Sequence, residues 1–252
     1  MNNQLISILI PARLESSRLP RKMLLPVRNN TPLIHETYLN VVEAIRSSRN
    51  PSTFNLFVAT DSNEIADYLD SQNISVIFTS SDHDGGLSRC HEASLNLSSQ
   101  HFLIIQGDEP LVTSQMLDSF SAYHLNLPSE SAICSTMATY HDSSQNGVKI
   151  VVSNSCRALY MTRCVLPNSY NVLTHLGIYG FSKLALSSYI SCNCELSSSE
   201  SIELLRFITN DFYVHVHKSP FIATRFGIDT QDDLLKYQKL FPTRSTVLDY
   251  LS

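Results

Sequence analysis

The sequence predicts an α/β protein built on a mostly parallel sheet, and three observations lead to this prediction. Short apolar runs of strand character alternate with longer segments whose apolar residues recur at helical spacing. The apolar runs are nearly continuous, as in parallel strands that are covered on both faces. Hydrophobic residues make up 43% of the 252 residues, enough for the core of one large domain or of a domain with a small lobe.

The alternation can be followed along the first 130 residues. Strand-like runs lie at 5–10, 54–60, 74–78 and 101–106. Helical spacing is found at 33–46, 62–72, 87–98 and 114–125. Because strand–helix–strand units place their helices on the faces of a parallel sheet, this half is predicted to form the core of the fold.

After residue 130 the pattern changes, and strand-like runs follow one another with little helix between them. These runs lie at 131–139, 148–153, 157–162 and 176–181. They predict antiparallel or mixed strands in a smaller lobe. Further elements are predicted as helices near 182–190 and 199–209, strands at 212–217 and 222–228, and a closing helix from Thr230 to about Leu240. We therefore expect a single domain, 1–252, with a core of about 1–130 and 210–252 and a lobe of about 131–209.

Charge, hydropathy and cysteine spacing argue against several classes of protein. The net charge of −5 argues against a general nucleic-acid binder. No apolar run approaches the roughly 18 residues of a membrane span, and the start of the chain has no signal-peptide pattern. We expect a cytoplasmic protein without membrane insertion. The six cysteines are scattered, and the pair Cys192 and Cys194 is a poor zinc signature, so reduced thiols are expected.

The first strand runs directly into a cluster of cations. Arg13, Arg18, Arg21 and Lys22 follow the apolar run within ten residues, and no glycine lies among them. Ligands of open α/β sheets bind beyond the carboxyl ends of strands, and arginine grips phosphate oxygens with a fork of donors. The cluster suits a triphosphate, although it is neither a P-loop nor a dinucleotide fingerprint. A solvated basic loop would show the same charge.

Two carboxylates follow predicted strands. Asp108 stands in "QGDEP" (106–110) beside Gly107, and Asp229 stands in "FGIDT" (226–230) near the other end of the chain. Carboxylates at strand ends suit a hard divalent cation that also binds phosphate oxygens. If Asp229 folds back beside Asp108, the two can share one or two Mg²⁺ ions against a triphosphate. Alternatively, Asp229 belongs to the N-cap region of the last helix.

These segments occur in the order and spacing of one enzyme family. They read "IPARLESSRLPRK" (10–22), "VATD" (58–61), "IIQGDEP" (104–110), "VKIV" (148–151), "ALYMTR" (158–163), "HLGIYGF" (175–181), "IELLR" (202–206) and "GIDTQDDL" (227–234). Over about residues 5–240 the sequence resembles the 3-deoxy-manno-octulosonate cytidylyltransferases, or CMP-Kdo synthetases, of lipopolysaccharide assembly. The first motif is shared with the sialate cytidylyltransferases, whereas the later motifs are more specific to the octulosonate branch.

The resemblance implies a Rossmann-like nucleotidyltransferase fold whose smaller lobe binds the sugar and forms a homodimer. It implies that CTP and 3-deoxy-D-manno-octulosonate (Kdo) give CMP-Kdo and pyrophosphate, with Mg²⁺ as cofactor. The residues implied for CTP are Arg13, Arg18, Lys22 and Gln106. Those implied for catalysis are Lys22, Asp108 and Asp229, of which the two aspartates hold the metal. Those implied for the sugar are Arg89, Arg163, His175, Tyr179 and Glu203.

Several of these residues also have plain structural explanations. His175 could be an ordinary strand histidine with a local hydrogen bond. Tyr179 could be a core aromatic residue. Glu203 lies three residues before Arg206 on a predicted helix, so the two could simply pair with each other.

The sequence departs from the family at three places. Arg21 replaces the usual glycine of the first loop, where it either adds a phosphate contact or shifts the loop. "GGLSR" (85–89) stands where the family has Ser-Gly-Thr-Asp/Glu-Arg, and Leu204 replaces a glutamine expected on the sugar side. These changes raise two alternatives: CMP transfer to a modified ulosonic or sialate-like acid, and a decayed homologue that binds nucleotide or sugar without turnover. Retention of Asp108, Asp229, Arg13 and Lys22 favours an enzyme.

Overall fold

The computed structural model describes residues 5–16, 18–128, 133–140, 147–167, 169–219 and 226–251. Its strands are β1 (Ile6–Ala12), β2 (Pro26–Arg28), β3 (Thr31–Pro32), β4 (Phe54–Thr60), β5 (Val76–Phe78), β6 (His101–Ile105), β7 (Cys134–Tyr140), β8 (Lys149–Val152), β9 (Ala158–Thr162), β10 (Val172–Ser182) and β11 (Val214–Lys218). Its helices are α1 (Leu33–Arg46), α2 (Asn63–Ser71), α3 (Gly86–Leu95), α4 (Ser114–Leu125), α5 (Lys183–Ser188), α6 (Glu195–Glu200), α7 (Leu205–Thr209), α8 (Gln231–Leu240) and α9 (Arg244–Leu251).

One nine-stranded sheet organises the molecule. Its main path runs in the order β11-β7-β10-β6-β1-β4-β5. Strands β6, β1, β4 and β5 are parallel to one another, and β11 is parallel to β7, whereas β10 is antiparallel to both β6 and β7. Strands β8 and β9 branch from β10 as an antiparallel extension. The fold class expected from the sequence is therefore confirmed.

Strand β1 lies at the centre of the sheet because both of its faces are apolar. All seven of its residues are buried. Leu9 packs into the cluster on the side of α3 and α5, while Ile8 and Ile10 pack into the cluster on the side of α1 and α4. Since β1 is covered on both faces, the cation-rich loop after it emerges at the carboxyl edge of the sheet, where open α/β sheets bind ligands.

The first-half strands and helices form close to their predicted positions. In the second half, the strands expected for a separate lobe join the same sheet, and the division into core and lobe stays a prediction. The predicted helix at 199–209 is two short helices, because Ser201 takes a left-handed conformation with φ of 53° and ends α6. Part of the strand predicted at 222–228 lies outside the described residues, and 226–229 form no strand.

The hairpin of β2 and β3 and helix α9 were not predicted. A small hairpin of β2 and β3 turns through Asn29 and Asn30, both at positive φ, and this dipeptide is a turn signal that the sequence offered. Helix α9 follows α8 near the end of the chain. Among the described residues, no helix has both the length and the apolarity to cross a bilayer.

Candidate active site

A polar cleft of about 480 Å³ opens at the carboxyl ends of β1 and β6. The loop after β1 forms one wall, and the start of α3 together with the segment around α6 forms the other. A smaller cavity of about 160 Å³ adjoins it and shares Arg18, Gln106, Asp108, Glu203 and Asp229 with it. The edge of the sheet that the sequence predicted for ligand binding therefore carries this cleft.

Two aspartates and a lysine form the floor of this cleft. Lys22 Nζ donates to Asp108 Oδ2 at 2.5 Å and to Asp229 Oδ1 at 3.2 Å, so residues 121 positions apart in the chain meet through one ammonium group. Burial alone would lower the pKa of Lys22, but the charges of both aspartates and their hydrogen bonds hold it above its ordinary value. Lys22 therefore stays charged inside the protein.

The start of α8 places Asp229. Thr230 is the N-cap of this helix, and its hydroxyl accepts from Asp233 N at 3.2 Å. In return, Asp233 Oδ2 accepts from Thr230 N at 2.9 Å and from Asp229 N at 3.1 Å. The N-cap is thus Thr230 and not Asp229, whose carboxylate points to Arg18 and Lys22. Asp229 and Asp108 therefore both contact the ammonium group of Lys22.

Gly107 allows the turn after β6 to pack closely on the end of β1. A Cβ at this position would lie 2.9 Å from the carbonyl oxygen of Pro11. Thr37 Oγ1 of α1 donates to the carbonyl oxygen of Gly107 at 2.8 Å and holds the same turn from the other side. Asp108 therefore enters the cleft from a backbone that is fixed by two neighbouring elements.

The cations after β1 take different positions. Arg13 lines the cleft, is exposed, and makes no ion pair with any described residue. Arg18 Nη2 binds Asp229 Oδ1 at 2.8 Å. Arg21 instead pairs with Glu64 on α2, outside the residues that line the cleft, and its φ is 56°. Because Arg21 does not line the cleft, this arrangement does not favour a phosphate contact by Arg21. It does not favour a displaced loop either, because Lys22 still reaches the floor of the cleft.

Glu203 lies where the cleft and the smaller cavity join. Its Oε1 accepts from Leu87 N at 2.7 Å at the start of α3 and from Tyr189 Oη at 3.4 Å. Burial raises the pKa of Glu203. Gly85 makes this approach feasible, since a Cβ there would lie 2.3 Å from Glu203 Oε1.

Three more predicted sugar-side residues line the smaller cavity: Arg163, His175 and Tyr179. Arg163 Nε donates to the carbonyl oxygen of Glu200 at 3.1 Å, which fixes its side chain along α6. The rings of His175 and Tyr179 lie 5.0 Å apart. Burial raises the pKa of Tyr179, which also hydrogen-bonds to Gln106. The cavity thus combines arginine and carboxylate side chains with the hydrogen-bonding groups of Gln106, His175 and Tyr179.

Two other positions that the family motifs singled out, Arg89 and Leu204, are placed differently from the sugar-side residues above. Arg89 is 3% exposed and its guanidinium binds Asp61 Oδ2 at 2.8 Å and Thr79 Oγ1 at 2.6 Å, which favours a role in holding the wall of the cleft. Leu204 is 1% exposed and packs in the core together with Leu87. Neither leucine replaces a polar contact to a sugar in this arrangement.

Most of the chain matches one group of known proteins. A family model described as cytidylyltransferase matches residues 7–242. A 3-deoxy-manno-octulosonate cytidylyltransferase of Koribacter versatilis (strain Ellin345) is 30% identical over 244 residues, covering 94% of this chain and 90% of the relative. One from Francisella tularensis subsp. holarctica is 31% identical over 256 residues, covering 94% and 98%. The chain belongs to the 3-deoxy-manno-octulosonate cytidylyltransferase family.

Solved structures agree with this membership. A CMP:2-keto-3-deoxy-manno-octonic acid synthetase complexed with CTP superimposes with a TM-score of 0.79 at 26% identity, covering 94% of this chain and 98% of that chain. The inositol-1-phosphate CTP transferase from T. maritima shares the fold at 14% identity, with a TM-score of 0.61 and coverage of 94% and 97%. This cytidylyltransferase therefore has a nucleotidyltransferase fold, and the resemblance seen in the sequence is confirmed.

The oxygen ligands that this cytidylyltransferase offers suit an Mg²⁺ ion that also binds phosphate oxygens. Asp108 and Asp229 present hard oxygen ligands, but no group of three or more His, Cys, Asp or Glu side chains in the described ranges could hold a metal ion. Proteins commonly bind Mg²⁺ through one or two carboxylates, with phosphate and water oxygens completing the octahedron. The two aspartates suit a metal that arrives with a triphosphate.

Sequence reasoning missed Asp84 and Arg206 as a pair. Both line the cleft, they form an ion pair, and the guanidinium of Arg206 stacks 4.8 Å from the centre of the Tyr189 ring. Burial alone would raise the pKa of Asp84, but the hydrogen bonds from Arg206 and Ser88 lower it. The ion pair of Arg206 is therefore with Asp84, which lies 122 positions away. No local pattern signals this contact.

Proposed function

We propose that this cytidylyltransferase transfers CMP from CTP to Kdo, giving CMP-Kdo and pyrophosphate for lipopolysaccharide assembly. The observation that carries the proposal is the cluster of half-buried Asp108 with buried Lys22 and Asp229 at the floor of a polar cleft. It lies beyond the carboxyl ends of parallel strands, where α/β proteins bind nucleotides.

In the proposed reaction, the chain aligns the substrates and neutralises charge. Arg13, Arg18 and Lys22 bind the triphosphate, and Gln106 orients nucleotide and sugar where the two cavities meet. The anomeric hydroxyl oxygen of Kdo bonds to the α-phosphorus, the bond to pyrophosphate breaks, and the hydroxyl proton leaves to solvent. Mg²⁺, held by Asp108 and Asp229, would lower the pKa of that hydroxyl and neutralise the leaving group.

The acceptor site follows from the smaller cavity. Kdo is an acid with many hydroxyl groups, so we assign its carboxylate to Arg163 and its hydroxyls to His175, Tyr179 and Glu203. Arg89 is a positioning residue in this proposal, since it is bound to Asp61. Leu87 and Leu204 pack in the core, and no described residue favours a modified acid over Kdo.

A homodimer is part of the proposal. Leu159 and Tyr160 of β9 are exposed, and the following loop adds Val165 at 80% and Tyr170 at 75% exposure. Apolar residues grouped on one sheet extension suit a contact with a second copy of the chain. Light scattering is expected to give twice the chain mass for the wild type and the single-chain mass for Val165→Glu. A wild-type monomer at micromolar concentration would refute the dimer.

We also propose that the enzyme works in the cytoplasm, where CTP is available. All six cysteines are unpaired thiols, as in proteins of reducing compartments. Thiol titration of freshly lysed cells should find all six reduced. Disulfide-linked protein in that sample would contradict this location.

The reaction is tested by identifying its products. Protein incubated with CTP, Mg²⁺ and either Kdo or N-acetylneuraminate is followed by ³¹P NMR. We expect the phosphodiester signal of CMP-Kdo together with pyrophosphate, and at least tenfold slower conversion of the sialate. Faster conversion of the sialate would move the acceptor to that branch. Nucleotide binding without either product would support the non-enzymatic alternative.

A further inference from the structure

Lys22 occupies the space between the two carboxylates that are proposed to hold the metal. Its Nζ lies 2.5 Å from Asp108 Oδ2 and 3.2 Å from Asp229 Oδ1, and 8% of its side chain is exposed. Arg18 Nη2 approaches the same Asp229 oxygen at 2.8 Å. The two carboxylates are therefore already neutralised by the chain's own cations.

The protein alone also offers an incomplete set of metal ligands. In the parts of the chain that the structure describes, no group of three or more acidic, histidine or cysteine side chains is arranged so that it could hold a metal ion. A divalent cation entering the free protein would have to displace a buried ammonium from both aspartates and would gain two carboxylates in return. Displacing that ammonium leaves it buried without an anion, which is costly.

We propose that Lys22 keeps divalent metal out of the free enzyme, so that metal and nucleotide bind together. The triphosphate supplies a second anionic partner that draws the Lys22 ammonium away from Asp108 and Asp229. The two aspartates then repel each other and require a cation, which the phosphate oxygens help to coordinate. This inference rests on the proposed function, because it requires a triphosphate as the natural ligand of the cleft.

Arg13 provides the starting point for this exchange. It is exposed, it lines the cleft, and it has no ion pair with a described residue, so a phosphate can bind it before any internal contact breaks. Lys22 and Arg18 then change partner from carboxylate to phosphate. Linkage requires the coupling to be reciprocal, so metal must raise the affinity for nucleotide by the same factor.

The test measures metal binding directly, with Mn²⁺ as the probe and its free concentration read by electron paramagnetic resonance. The proteins are wild type, Lys22→Met, and Lys239→Met as a matched control that removes an exposed lysine of α8. Each is titrated alone and with the non-hydrolysable analogue α,β-methylene-CTP. Asp108→Asn with the analogue corrects for Mn²⁺ held by the nucleotide alone.

Without nucleotide, we expect Lys22→Met to bind Mn²⁺ at least tenfold more tightly than wild type, with Lys239→Met equal to wild type. The analogue should tighten Mn²⁺ binding to wild type at least tenfold, and should tighten it less in Lys22→Met. Equal affinity of nucleotide-free wild type and Lys22→Met would overturn the inference. If Lys22→Met fails to fold, the wild type still decides, because equal Mn²⁺ affinity with and without the analogue contradicts the coupling.

Failure of this inference is distinguishable from failure of the proposed function. Calorimetry measures binding of the analogue with Mg²⁺ present, and pyrophosphate release measures turnover. A protein that releases pyrophosphate but binds Mn²⁺ tightly when free would refute the role of Lys22 alone. A protein that binds no CTP analogue would refute the proposed function itself.

Discussion

Arg21 adopts a left-handed backbone conformation at the point where the family usually has glycine. Its φ of 56° and ψ of 27° cost a non-glycine residue about 1–2 kcal/mol. The ion pair with Glu64 joins two half-exposed side chains, and such pairs contribute about 0–1 kcal/mol. The cost of the left-handed backbone therefore equals or exceeds the contribution of the ion pair. The loop keeps its shape because Lys22 and Met23 beside Arg21 are buried.

This strain predicts that glycine at residue 21 gives a more stable protein than alanine, the reverse of the usual order. At ordinary positions alanine is more stable than glycine, but at a left-handed position glycine carries no Cβ penalty. We expect Arg21→Gly to be about 1 kcal/mol more stable than Arg21→Ala in urea unfolding, since both lack the ion pair. Greater stability of Arg21→Ala would show that residue 21 is not left-handed.

Gly85 is a positioning residue for Glu203. A Cβ at residue 85 would lie 2.3 Å from Glu203 Oε1 and would push the carboxylate away from Leu87 N. Gly85→Ala is therefore expected to raise KM for Kdo about tenfold, the cost of one hydrogen bond to a charged group, with KM for CTP little changed. Unchanged KM for Kdo in this variant would remove Glu203 from the sugar site.

Helix α8 shows how one element serves both stability and the site. The reciprocal hydrogen bonds between Thr230 and Asp233 begin the helix, and Asp233 also holds the backbone N–H of Asp229. The same cap that ends the loop therefore fixes the position of a proposed metal ligand. Loops that carry catalytic groups gain precision when they lead into a capped helix.

Substitution of Thr230 separates the effect of the cap on stability from its effect on the position of Asp229. Thr230→Ala should lower the free energy of unfolding by about 1 kcal/mol and should lower kcat, because Asp229 is held less firmly. Thr230→Ser keeps the hydroxyl and serves as the control, with stability within about 0.5 kcal/mol of wild type. If Thr230→Ala and Thr230→Ser have the same stability, the cap does not stabilise α8.

The molecule as a whole carries a group of buried and half-buried histidines close to α4. His124 lies within hydrogen-bond distance of His101 at 3.2 Å and of Ser135 at 2.8 Å. Burial lowers the pKa of His124 to about 3, from an ordinary value of 6.5, and His101 adds to this. Burial also lowers the pKa values of His101, His215 and His217.

These histidines predict a loss of stability in acid. Below about pH 6.5 the unfolded chain binds protons that the folded chain excludes, so stability falls as pH drops, and for His124 it keeps falling towards pH 3. One such group contributes a slope of up to about 1.4 kcal/mol per pH unit. Urea unfolding between pH 7 and pH 4 should be less pH-dependent in His124→Gln. An unchanged slope would mean that His124 is protonated in the folded state.

The sequence predicted the central sheet from its apolar runs, and it pointed to Lys22, Asp108 and Asp229 by residue type, although Asp229 follows a loop and not the predicted strand. It could not predict that Arg89 is bound to Asp61 or that Leu204 faces the core, since those outcomes depend on how α3 and the segment before α7 pack. The pair of Asp84 and Arg206 also depends on tertiary packing across 122 positions. Local patterns thus pointed to residues that line the cleft, whereas their contacts with one another depend on packing.

Pyrophosphate release from CTP, Kdo and Mg²⁺ tests the central claim most directly, comparing wild type with Asp108→Asn. Asp67→Asn is the matched control, because Asp67 is an exposed residue of α2 outside the cleft. The account predicts steady release by wild type and Asp67→Asn, and a loss of at least a hundredfold in kcat for folded Asp108→Asn. Release that persists in Asp108→Asn at the wild-type rate, or no release by the wild type, would contradict it.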